Sequence, residues 1–202
     1  MIKIKKKKIA IIINILIILL EIIGLFISII NNKKLLIEYF TIDSNILSLI
    51  ASILFLIDSF RYKRKINELT KIAKYTSCVS LVLTFIIVLL ILFPSSGFDT
   101  NILFNGAMPI FHIICPILVF FSFTKYERYR FDDNDKYQTL FFSLIYGTII
   151  VLLNLIGILE GPYQFFLVRS NPIFVSIFSF VFITTITLFI SILLQKIKKR
   201  FY

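Results

Sequence analysis

Seven polar residues inside the long apolar stretches are the leading candidates for chemistry: Glu21, Thr41, Asp43, Asn45, Asn105, His112 and Asn154. A charge at the centre of a membrane helix costs a few kcal/mol on insertion scales, so these are the first places to look for binding or chemistry. His112 is the only histidine of the chain. Near neutral pH an imidazole can relay a proton, act as a base or hold a ligand, and its plainer role is a hydrogen bond between helices. It makes a poor start for a metal centre, because zinc and iron draw on several His, Cys or carboxylate ligands and none is spaced to join it. Glu21 falls at about the same depth, ~14–15 Å by helix rise. A contact between the two would orient the imidazole or favour its charged form. Asp43 is a competing carboxylate, although two residues from Thr41 it points roughly 200° away around a helix.

The spacing of these residues implies the elements that carry them. Thr41, Ser44 with Asn45, Ser48 and Ser52 recur at three- and four-residue steps. They therefore lie along one side of a helix and face other helices, where Ser and Thr also serve close packing. Asn105, Pro109, His112 and Pro116 share one face of another helix. Its two prolines free backbone carbonyls and predict a kink. All seven polar residues favour the outer half of the proposed bundle, which predicts a cavity open to that leaflet and a drier inner half.

Composition sets the solvent. The chain has 202 residues, 58% hydrophobic and 16% charged, with mean hydropathy +0.95, which excludes a water-soluble globule. Six stretches are long enough to cross a ~30 Å hydrocarbon core: residues 9–30, 35–60, 75–93, 102–123, 139–158 and 173–194. An all-α, six-helix transmembrane bundle in one domain, 1–202, is expected. Of the 22 Lys and Arg, 19 fall on one side of these spans and 3 on the other, so both termini are expected in the cytoplasm. There the basic loops would touch anionic lipid headgroups, and a nucleic-acid partner is not expected. The N-terminal lysines and apolar run imitate a secretory signal, but no small-residue cleavage site follows and the run should persist as the first span. Cys78 and Cys115 lie within spans and form no disulfide framework.

Three stretches carry a resemblance. Tyr39-Phe40-Thr41-Ile42-Asp43-Ser44-Asn45, the histidine segment Asn105 to Pro116, and Gly161-Pro162-Tyr163-Gln164-Phe165-Phe166 resemble segments of the androgen-induced membrane hydrolase family and its bacterial relatives. In the last stretch Gly161 stands where the family usually has an aromatic. The resemblance implies a six-helix enzyme of lipid metabolism in a bacterial plasma membrane. Such enzymes cleave fatty acid esters of hydroxy fatty acids, with Thr41 as nucleophile and His112 as base. In that chemistry the imidazole takes the hydroxyl proton as the oxygen attacks. Asn45 or Asn105 would support the oxyanion, and Glu21 or Asp43 would hold the imidazole tautomer. The substrate would be an amphipathic lipid ester entering through the apolar wall, and no cofactor is implied.

Two alternatives use the same residues. A non-catalytic carrier or lipid-binding protein would bind an amphipathic ligand among the outer polar groups without turnover. A thiol nucleophile at Cys115, three residues from His112, is weaker, since apolar burial raises thiol pKa. For a Thr41–His112 pair the depths match best if the fourth helix starts near Pro109. Residues 102–108 would then fold over the mouth, with Asn105 capping the site.

Overall fold

The computed structural model describes residues 2–33, 36–61, 66–160, 162–163 and 166–201. Its first helix, α1 (Ile2–Asn32), follows from spacing. Ala10, Asn14, Ile17, Glu21, Gly24 and Ser28 recur at four- and three-residue steps and are all buried, while Ile12, Leu19, Phe26 and Ile30 between them are exposed. Such spacing keeps one narrow seam turned toward neighbouring helices and leaves the rest of the surface for lipid. Helix α2 (Phe40–Arg61) runs back along that seam. Lys7 donates to the Ser59 carbonyl at 2.9 Å, and Lys74 bonds both Asn14 and Ser52.

Helix α3 (Glu68–Ser95) starts earlier than the expected Tyr75. Asn67 caps it by accepting from the Leu69 amide, and the Asn67 amide is held by Asp58 at 2.8 Å. Lys71 and Lys74, counted above as loop charges, therefore lie within the helix and are buried. They are tolerated there because Asp135 and Glu127 stand opposite them.

The fourth expected span is divided. A short helix α4 (Asn101–Phe104) ends at Asn105 in extended conformation. Gly106 then turns the chain at φ +55°, where an added Cβ would lie 2.8 Å from the Asn31 side-chain nitrogen. The apolar helix α5 (Ile110–Tyr126) follows just after Pro109, whose fixed φ suits a helix start and whose missing N–H costs nothing there. Beyond it, α6 (Asp135–Leu155) and α7 (Ile173–Phe201) complete the chain. Among the described residues five helices, all but α4 and α5, are long and apolar enough to cross a membrane. Their exposed faces carry side chains such as Phe60, Phe178 and Ile149, a surface suited to hydrocarbon rather than water.

Among the described residues three wider π turns interrupt the helices: Val88–Leu92, Ile110–Ile114 and Ser122–Tyr126. The second contains His112. Pro116 supplies no amide there, and the Cys115 N–H reaches back to the Ile110 carbonyl. The bundle thus has a terminal end, where α1 begins and α7 finishes, and a distal end formed by the α1–α2 connection, α4 and the α6–α7 connection.

Candidate functional site

At the distal end the helices part around a cavity of about 970 Å³. Its polar wall comes from Ser28, Asn31 and Asn32 at the end of α1, Ser95 and Ser96 at the end of α3, and Asn101 and Asn105 on either side of α4. Asn171 closes it from the α6–α7 connection, and His112 lies on its floor. Asp99 also lines the mouth, its carboxylate accepting from Asn101; amides and hydroxyls both donate and accept, so the lining suits a polar headgroup without negative charge.

His112 is 6% exposed, and its Nδ1 lies 2.8 Å from the Ile102 carbonyl. A carbonyl only accepts, so Nδ1 carries the proton and in the neutral ring Nε2 keeps its lone pair. The expectation that Glu21 or Asp43 orients the imidazole is corrected: the Ile102 carbonyl, within α4, does it. The segment that folds over the mouth thereby also sets the tautomer.

Thr41 sits apart from this histidine. It lines an adjoining apolar space of about 40 Å³ with Phe40, Thr84, Val88, Tyr146 and Phe166. Among the described residues no hydrogen bond joins Thr41 to His112. The hydroxyl meets Tyr163 instead, whose phenol oxygen faces the Thr41 side chain and the Phe40 and Thr41 backbone at the start of α2. Burial pushes the Tyr163 phenol up to about 12, against the lowering effect of those contacts. Tyr163 and Leu92 line both spaces and form the wall between them. The three stretches singled out in the sequence therefore meet at one end of the molecule through Thr41, His112 and Tyr163; Gly161, Gln164 and Phe165 lie outside the described residues.

The remaining candidates disperse. Asn105 lines the cavity mouth. Asn45 is fully buried and spends its Nδ2 on the Thr41 carbonyl at 2.7 Å. Asp43 borders a lateral groove of about 380 Å³ with Glu38, Phe142 and Ile149. Asn154 donates to the carbonyls of Leu159 and Glu160 and accepts from the Arg169 amide, so it ties down the α6–α7 connection rather than facing a ligand. Glu21 is sealed in the bundle beside the Ser48 hydroxyl and the Cys115 thiol, and among the described residues neither of its oxygens has a well-formed hydrogen bond.

The terminal half is not the drier one. Lys74 and Glu127 form an ion pair at 3.2 Å with both side chains 0% exposed. Asn14 bridges them, accepting from Lys74 at 2.8 Å and donating to Glu127 at 2.9 Å. Ser122 and Tyr129 donate to the same carboxylate at 2.7 and 2.6 Å, and Lys198 donates to the carbonyls of Phe123 and Glu127. Burial alone would push the Glu127 carboxyl up, but the Lys74 charge and three hydrogen bonds hold it below the usual carboxylate range. Sequence reasoning passed over this cluster, although Asn14 stands seven residues before Glu21 on the buried seam of α1.

No family model, curated protein or solved structure matches the chain.

Proposed function

We propose that the distal cavity binds an amphipathic lipid, its polar part among the asparagines and His112 and its acyl part against the apolar faces below. The observation that carries this reading is the large cavity that joins an amide and hydroxyl rim to apolar walls of Ile91, Leu92, Met108 and Val175, with a single oriented imidazole on its floor. Hydrolysis of a lipid ester by Thr41 and His112 is a second reading, favoured by the lone pair that the Ile102 contact leaves on Nε2. In that reading Tyr163 withdraws from Thr41, the two spaces merge and the imidazole receives the hydroxyl proton. The convergence of the three family-like stretches supports the same reading, and with it kinship to the membrane hydrolases.

The experiment is a combined binding and turnover assay on the protein in lipid nanodiscs, with a monoacylglycerol as an uncharged amphipathic ester. Saturable binding without turnover, weakened by His112→Ala, supports the binding reading. Turnover abolished by both Thr41→Ala and His112→Ala supports hydrolysis, and absence of binding refutes both.

We also infer six crossings in one domain, with α5 as the short sixth, and both termini on the cytoplasmic side of a bacterial plasma membrane. The 19 to 3 partition of basic residues supports this orientation. Reporter fusions at the two ends check it.

A further inference from the structure

We propose that Glu21 forms a buried proton-binding site midway along the bundle, its carboxyl gaining and losing one proton and so switching the net charge of the sealed interior. The register of α1 on α2 places it. Lys7 bonds Ser59, and Asn14 and Ser52 share Lys74. Seven-residue steps up α1 thus match seven-residue steps back along α2, which sets Glu21 level with Asn45 and one turn from Ser48.

All three side chains are 0% exposed. Both Glu21 oxygens, Asn45 Oδ1 and Ser48 Oγ lack a hydrogen-bond partner. The donor of Asn45 is spent on the Thr41 carbonyl, so it offers Glu21 only an acceptor. An ionised carboxylate would find the Ser48 hydroxyl as its one O–H donor in this set, whereas a protonated one can itself donate to Asn45 Oδ1 or Ser48 Oγ.

Charge balance points the same way. Among the described residues the other buried charges, Lys71, Lys74 and Lys198 against Asp58, Glu127 and Asp135, are each no more than 6% exposed and already balance. Protonated Glu21 keeps that balance and ionised Glu21 adds one uncompensated negative charge. The other ionisable groups on the elements around Glu21 are Lys74 and Cys78 on α3 and Cys115 and His112 on α5; α2 offers Asn45 and Ser48. Lys74 is committed to Glu127, Asn14 and Ser52, and His112 Nδ1 to Ile102. Thiols are weak donors. Among the described residues Glu21 therefore has no dedicated counter-charge, and an intramembrane carboxyl so placed is a functional candidate by default.

Infrared spectroscopy of the purified full chain across a pH series tests this independently of any ligand in the distal cavity. The expected result is a C=O band of a buried carboxylic acid, clear of the amide envelope and shifted in D₂O. It should disappear reversibly as the pH rises and be absent from Glu21→Gln. The amide of that variant has the shape of the protonated acid, which favours folding. If it fails to fold, Glu21→Asp decides, since the same band must then move. No such band at any pH, a band indifferent to pH, or a band unchanged in the variant that folds overturns the proposal.

Discussion

Replacing Lys74 with methionine is expected to destabilise the bundle by about 3–5 kcal/mol, the usual cost of leaving one member of a buried ion pair alone. The loss should appear in denaturant or thermal unfolding. Glu127 would keep Ser122, Tyr129 and Asn14 as donors, but no cation would face it at 3.2 Å. Pairing Lys74→Met with Glu127→Gln should restore most of the loss, because the stranded charge is removed and the glutamine carbonyl still accepts from Ser122. A single variant as stable as the parent would mean that the pair is not sealed from solvent. The wild type follows the same logic on acidification. Glu127 is held below its ordinary range, so its contribution is fully present above that range and is lost as the pH falls through the depressed value.

Gly24→Leu is the second large effect. A Cβ at that position would lie 2.6 Å from Cε1 of Phe111 and 3.3 Å from a methyl of Ile110. Phe111 is fully buried, so the ring has little room to withdraw. Overpacking of this kind costs about 1–3 kcal/mol. Phe111 and His112 share one π turn, so the same substitution should also displace the imidazole and weaken lipid binding at the distal cavity. Unfolding measurements and binding titrations on the one variant report both effects. A Gly24→Leu protein with parental stability would contradict the packing of α1 on α5.

The helical class was legible because apolar runs of membrane length leave few other options. Helix ends were less so. Lys74 looked like a loop residue because a basic count rewards every lysine near the end of an apolar run, and only the folded chain brings Glu127 to it. The division of the fourth span was foreshadowed by Pro109, and the turn itself rests on Gly106 and the nearby Asn31. Thr41 and His112 lie at the same end of the bundle, but side-chain partners are set by packing rather than spacing. Tyr163 at Thr41 and the Ile102 carbonyl at His112 come from two connections whose path no periodicity specifies. Asn14 was hidden for the opposite reason. One amide in a run of isoleucines draws little notice until the seam it shares with Ala10, Ile17 and Glu21 is seen.

Because the chain has a single histidine, ¹⁵N-histidine NMR in nanodiscs reads the proposed site without assignment. The neutral ring should show the Nδ1–H tautomer, and titration with a monoacyl amphiphile should move the Nε2 resonance more than the Nδ1 resonance. An Nε2–H tautomer, or ring nitrogens that stay fixed at saturating amphiphile, would contradict a lipid site built on His112.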